Sequence, residues 1–184
     1  MPAYSAYGDT LATKVITYYP GNLALPSIQG VVLLFHAASG ALKCIMDAVE
    51  ITAYRTAAAS AVATKCPFSS QYLASENPKI LAVLGAGTQA KIHVVVLTTV
   101  FHFEQVRIWN HRAASATSLV VELAAHGIAA RYDPSPEEAV RDADVIVTAT
   151  ASPTPILQAD WLKKGAHVNG IHGYCSLLYI GSVR

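Results

Sequence analysis

The spacing of apolar positions changes near residue 66. Before it, Leu11-Ala-Thr-Lys-Val-Ile-Thr-Tyr-Tyr19 is rich in β-branched and aromatic residues and predicts a strand. Pro20-Gly21-Asn22 marks a turn, Gly30 to Phe35 predicts a second strand, Ala38-Ser39-Gly40 a second turn, and Ala41 to Met46 a third strand. From Ala48 to Ala63 small side chains dominate, which predicts a closely packed helix. Cys66-Pro67 to Pro78 is polar and bounded by prolines, as expected of a loop. Then the pattern alternates. Apolar runs at Lys79–Leu84, Glu104–Trp109, Ile128–Tyr132, Asp144–Thr150 and His167–Ile171 predict strands. Between them, helical spacing covers Gln89 to Val100 and Ala113 to His126, the latter ending at Gly127. Ser135-Pro136-Glu137-Glu138 has the form of a capping box with proline in the first helical position, opening a helix to about Arg141. Trp161 to Lys164 predicts a short helical turn. The alternation defines an α/β fold, a mostly parallel sheet covered by helices.

One junction carries chemistry. The first parallel strand runs into Gly85-Ala-Gly-Thr-Gln-Ala90, a Gly-x-Gly-x-x-Ala turn that opens a helix. Such a turn can cradle a dinucleotide pyrophosphate. Gly85 would make the tight bend, Gly87 would let the backbone approach the phosphates, and Ala90 would let the helix pack close. The helix start adds free N–H groups and a positive dipole end. The alternative is an ordinary strand-to-helix turn. At the end of the next strand, NAD sites place an acidic residue on the ribose; this chain has Asn110-His111-Arg112. No carboxylate is there to repel a 2′-phosphate, and Arg112 could pair with one, which points to NADPH. The alternative is a surface arginine capping the following helix. Ala151-Ser-Pro-Thr-Pro155 forms a loop at the carboxyl end of the fourth parallel strand, where doubly wound sheets bind ligands.

Composition narrows the setting. Of 184 residues, 53% are hydrophobic and 14% charged, which excludes a disordered chain. A net charge of +1 gives no reason to expect nucleic acid or an anionic membrane as partner. Cys44, Cys66 and Cys175 have no pairing pattern, as free thiols in a reducing, cytoplasmic setting would. Met1-Pro2-Ala3-Tyr4 lacks the basic flank and apolar core of a signal peptide, and runs such as Val94–Phe101 are too short to span a bilayer. Seven histidines are scattered without metal-ligand spacing, so no metal is expected.

Several motifs occur in a fixed order: Met1-Pro-Ala-Tyr-Ser5, the Lys14 strand, Thr52-Ala-Tyr-Arg-Thr-Ala57, Leu84 to Ala90, Val106-Arg-Ile-Trp-Asn110, Ala143-Asp-Val-Ile-Val147 and Gly165-Ala-His-Val-Asn169. Together they resemble the ornithine cyclodeaminase and mu-crystallin family. The resemblance implies a Rossmann-type sheet with helices on both faces, plus an α+β domain for dimerisation and substrate, incomplete here. The implied division is 1–66 for that partial domain, 67–78 a linker, 79–171 the NADP-binding domain and 172–184 a divergent tail.

The implied activity is NADPH-dependent reduction of cyclic ketimines by a homodimer that also binds thyroid hormone. The alternatives are a non-catalytic NADPH or thyroid-hormone binding protein, a chain with no stable function, or an NAD enzyme of the ornithine cyclodeaminase type. By resemblance, cofactor contacts fall on Ser27, Gln29, Arg55, Thr56, Gly85, Ala86, Gly87, Thr88, Gln89, Asn110, His111, Arg112, Thr150 and Ile171. Ile28 departs from a family histidine. Lys14 matches the family's active-site lysine and Arg55 an arginine beside the substrate carboxylate. A protonated imine accepts hydride best, so Lys14, tuned by burial, could donate that proton, and Arg55 could grip a carboxylate with two bonds. A solvated strand lysine and a snorkelling surface arginine are the plainer alternatives. The resemblance begins inside the family's length and stops after Gly170-Ile171. A chain shortened at both ends is therefore expected, with Val15, Ile16, Val32 and Leu34 short of partner surface and turnover poor.

Overall fold

The computed structural model describes residues 2–22, 24–69 and 78–171. The chain divides into two compact units, Met1–Ala53 and Tyr54–Arg184.

The first unit is a four-stranded antiparallel sheet of β1 (Pro2–Ser5), β2 (Thr10–Tyr18), β3 (Ile28–His36) and β4 (Leu42–Asp47), in that order. β2 and β3 pair in unbroken register from Thr10 opposite His36 to Tyr18 opposite Ile28. β1 was not expected. Its Ala3, Tyr4 and Ser5 are all exposed, so no burial pattern marks it in the sequence. Asp47 closes β4 and its Oδ1 accepts the Val49 N–H at 2.8 Å, which hands the chain directly to α1 (Val49–Ser69). The boundary between the units falls within this helix. Val15 and Ile16 are exposed, Val32 is buried and Leu34 half-buried.

The second unit takes up most of α1 and then β5 (Ile80–Leu84), α2 (Thr88–Val100), β6 (Gln105–Trp109), α3 (Ala113–Ala125), β7 (Arg131–Tyr132), α4 (Pro136–Val140), β8 (Val145–Thr148), a 3-10 turn (Ala159–Trp161) and β9 (His167–Gly170). The sheet order is β7-β6-β5-β8-β9, every pair parallel. The order reverses beside β5, the switch point at which such sheets hold ligands. Leu81, Ala82, Val83 and Leu84 of β5 are fully buried. Leu81 and Val83 pack with Ala90, Val94 and Leu97 of α2 and Leu119 and Leu123 of α3. Ala82 and Leu84 pack on the other layer with Ala139, Val140 and Leu157. A strand buried on both faces is a continuous apolar run, and each large side chain so buried contributes about 1.5–3 kcal/mol.

Local devices position these elements. Ser135 Oγ accepts the Glu138 N–H at 3.1 Å with Pro136 in the first turn, as the capping pattern requires. Asp144, just before β8, accepts the Lys79 and Ile80 N–H groups at 2.8 Å each and pairs with Lys163 at 2.5 Å. Buried Arg107 on β6 donates to the Arg141 carbonyl at 2.6 Å, placing a cation at the carbonyl end of α4.

Three expectations need correction. The strand anticipated from Ile128 shrinks to Arg131–Tyr132. Gly127 adopts φ +75°, its N–H donates to Ala124 O, and the Ile128 N–H donates to Leu123 O at 3.0 Å. This double closure spends Ile128 on ending α3. Helix α1 continues through Pro67 to Ser69, where a loop was expected. The helical turn expected at Trp161–Lys164 lies earlier, at Ala159–Trp161. The rest of the anticipated linker, 70–77, and the tail 172–184, with Cys175, lie outside the described residues.

Candidate functional site

The two glycines of the Gly85–Ala90 turn do different work. Gly85 has φ +132°, and a Cβ there would run into the Ala149 carbonyl. Its N–H donates to Trp109 O at 2.7 Å. The turn is therefore clamped between the ends of β6 and β8, and the clamp needs glycine. Gly87 is the N-cap of α2 at φ −92°, a conformation open to any residue, and nothing lies within 4 Å of where its Cβ would stand. Its requirement is access. No side chain caps α2, so the first N–H groups of the helix point past Gly87 without one. Ala90 is fully buried in the layer beneath.

Other expected residues collect at the same carboxyl edge of the sheet. Asn110, at the end of β6, is buried and its Nδ2 donates to Arg112 O at 3.2 Å. His111 and Arg112 are exposed. Arg112 is the N-cap residue of α3, but its side chain makes no capping bond. A guanidinium has only donors to offer a helix end that itself presents donors, so the capping alternative fails chemically. Thr150 follows β8, and Ile171 follows β9, half-buried, with its N–H on Thr148 O at 3.0 Å. The Gln89 Oε1, Thr148 Oγ1 and Thr150 Oγ1 atoms are buried without hydrogen-bond partners among the described residues. Buried polar atoms in this state are costly unless a ligand or water completes them.

Behind the turn stands a polar pair with no sequence signal. His93 on α2 is fully buried, with Nδ1 2.7 Å from Gln89 O and Nε2 3.0 Å from Ser60 Oγ of α1. A carbonyl only accepts, so in the neutral ring Nδ1 carries the proton and Nε2 accepts from Ser60. Burial pushes the His93 pKa down, and the Gln89 hydrogen bond opposes it only in part. Nearby, Thr64 Oγ1 donates to Ser60 O at 2.8 Å and receives the Asn169 amide at 3.0 Å, which ties α1 to β9.

Lys14, Ser27 and Gln29 belong to the first unit, on the β2–β3 hairpin. Lys14 is half-buried opposite Val32, with Nζ 3.3 Å from Thr52 Oγ1. Gln29 pairs with Thr17, and exposed Ser27 offers its carbonyl to the Tyr19 N–H at 2.7 Å. Arg55, exposed, and Thr56, half-buried, lie on α1 in the second unit. Among the described residues no group of three or more His, Cys, Asp or Glu could hold a metal ion. No helix among them is long and apolar enough to cross a membrane.

A parallel sheet with its switch point beside a glycine turn and a helix start places the second unit in the class of Rossmann-type dinucleotide-binding folds. The chain belongs to the ornithine cyclodeaminase/mu-crystallin family, which it matches over residues 1–177. That match runs past Ile171, into the stretch expected to diverge. The chain is 43% identical over 173 residues to the ketimine reductase mu-crystallin of Rattus norvegicus, covering 93% of this chain and 52% of that protein. Among solved structures it is similar to the Thermococcus litoralis Δ1-pyrroline-2-carboxylate reductase in complex with NADH and L-proline. The TM-score is 0.83 at 33% identity, covering 92% of this chain and 52% of that one. An archaeal alanine dehydrogenase dimer with bound NAD gives 0.80 at 33% identity, covering 91% and 50%. The chain thus spans about half the length of the relatives it matches.

Proposed function

We propose that this chain carries the cofactor site of an NADPH-dependent reductase of cyclic imines. The observation that carries the reading is the Gly85–Gln89 turn: a bend that only glycine permits, then an uncapped helix start with open space at Gly87. Bound there, a nicotinamide dinucleotide would supply hydride to the carbon of a C=N bond. Gly85, Ala86, Gly87, Thr88 and Gln89 would hold its pyrophosphate. The unpartnered Gln89 Oε1 and Thr150 Oγ1 suit a ligand with polar edges. Thr150 and Ile171, with Arg55 and Thr56 of the same unit, would position the rest of the cofactor.

Asn110, His111 and Arg112 would hold a 2′-phosphate. A cation at the N-terminus of α3 opposes the helix dipole. An anion bound beside Arg112 would relieve that opposition, which favours NADPH. The two solved relatives named above hold NADH or NAD, and this supports NAD as the second reading.

For the chemistry, Lys14 is the proposed proton donor to the imine nitrogen, where protonation makes the carbon a better hydride acceptor. Arg55 is proposed to bind a substrate carboxylate through two parallel hydrogen bonds. The names of the relatives support an imine substrate, since they include a ketimine reductase and a pyrroline carboxylate reductase. A homodimer is the proposed assembly; exposed Val15, Ile16, Tyr18 and Ile45 of the antiparallel sheet support it. Nothing among the described residues distinguishes a site for thyroid hormone.

Titration of the protein with NADPH and NADH, followed by an assay of NADPH oxidation with a cyclic ketimine, tests the proposal. NADPH should bind more tightly. Arg112→Ala should weaken NADPH by about 1–3 kcal/mol, as for a lost charge-assisted bond, and leave NADH nearly unchanged. Equal losses would transfer support to NAD. Binding without turnover would leave a cofactor-binding protein in place of an enzyme.

A further inference from the structure

Asp133 is a buried carboxylate whose bonds do not add up. It follows β7 directly, its N–H donates to Ile108 O at 2.9 Å, and its side chain is 9% exposed. Oδ1 pairs with Arg131 Nε at 3.2 Å. Oδ2 is buried without a hydrogen-bond partner among the described residues. An ionised carboxylate only accepts, so whatever completes Oδ2 is a donor. Arg131, with a side chain 58% exposed, compensates part of the charge but leaves that oxygen unserved.

The order of strands says which donor. The inference rests on the dinucleotide reading above. In that reading the pyrophosphate lies at the end of β5 and the 2′-phosphorylated ribose at Asn110–Arg112, beyond β6. The next strand outward is β7. The register Ile108 opposite Tyr132 sets Asp133 level with Trp109, the last residue before Asn110. Going outward along the ligand, the group after the ribose is the base. We propose that Asp133 Oδ2 accepts the exocyclic 6-amino group of the adenine base, which makes Asp133 a specificity-determining residue of the cofactor site. A phosphate would be repelled by this carboxylate. A 6-keto base would set oxygen against oxygen.

The test compares NADPH with its hypoxanthine counterpart, in which a 6-keto group replaces the 6-amino group and N1 gains a hydrogen. Binding is read by titration calorimetry or by quenching of protein fluorescence, so no turnover is needed. The wild-type chain should bind the adenine form about tenfold to a hundredfold more tightly, the span for a hydrogen bond to a charged group. Asp133→Asn, whose amide can accept from one base or donate to the other, should bring the ratio close to one. Asp133→Ala should do the same with weaker binding of the adenine form. Thermal melts of both variants check that they fold. An equal affinity of the wild-type chain for the two dinucleotides overturns the proposal. So does a preference that survives both substitutions, or an equal loss for both dinucleotides, which would assign Asp133 to the ribose. If the wild-type chain binds neither, the dinucleotide reading itself fails, a result distinct from binding without base preference.

Discussion

Gly85 and Gly87 sit two positions apart and respond to substitution in opposite ways. At Gly85 the left-handed φ and the Ala149 carbonyl leave no room for a side chain. Gly85→Ala should therefore lower stability by at least about 1–3 kcal/mol, the cost of a strained residue, and appear as a lower melting temperature. At Gly87 the backbone suits any residue and the surroundings are open. Gly87→Val should leave circular dichroism and melting nearly native and abolish NADPH binding in a titration. Normal affinity in that variant would reduce the turn to a structural one. Both glycines were legible, because spacing and type alone identify such a turn. His93, Arg107 and Asp133 were not. Their partners are Ser60, 33 residues away, the Arg141 carbonyl, 34 away, and Arg131, with an oxygen left over. Nothing in a local window marks the first two pairings, and although Arg131 lies two residues from Asp133, the sequence does not show that the second Asp133 oxygen is left over.

At the scale of elements, β5 and β8 were legible because strands buried on both faces are mostly continuous apolar runs, and β6, which carries Gln105 and Arg107, was legible from Val106 and Ile108 at alternate positions, followed by Trp109. Strand β1 has no buried side to show, and β7 is cut short by the closure of α3, which is a backbone event. The start of β5 is pinned from another element. Burial alone would raise the Asp144 carboxyl, but the Lys163 ammonium and the Ile80 and Lys79 N–H groups outweigh it and hold the pKa below its ordinary 3.8. A depressed acid contributes stability that is present above 3.8 and lost as pH falls through the folded value. His93 and His167 are also depressed, both by burial, so their share is present above 6.5 and erodes as pH falls below it. Acid titration of stability should thus decline in two stages. Asp144→Asn should flatten the lower stage and His93→Gln should shrink the upper to the His167 share; a single stage in the wild-type chain would contradict both assignments.

For the whole molecule, the two units differ in how they bury apolar surface. The parallel unit has two apolar layers, whereas in the antiparallel sheet Val15, Tyr18 and Ile45 are 48%, 58% and 61% exposed. By register Val15 and Ile45 share one face of that sheet and Tyr18 lies on the other, and exposed apolar surface of this kind marks association. Sedimentation at tens of micromolar, an order of magnitude chosen to favour weak contacts, should show a species heavier than one chain, and Ile45→Lys should shift it toward the monomer. A monomeric wild-type chain would count against the proposed homodimer. The clamp of Gly85 on Ala149 has one more outcome, which concerns biosynthesis. β5 is the earliest strand of its sheet to leave the ribosome, yet its place in the centre is completed only when β8 emerges. At roughly 5–20 residues per second, that wait lasts roughly 3–13 s. During it Leu81–Leu84 lacks one of its two neighbouring strands, so the nascent chain is most in need of a chaperone before its cofactor turn can close.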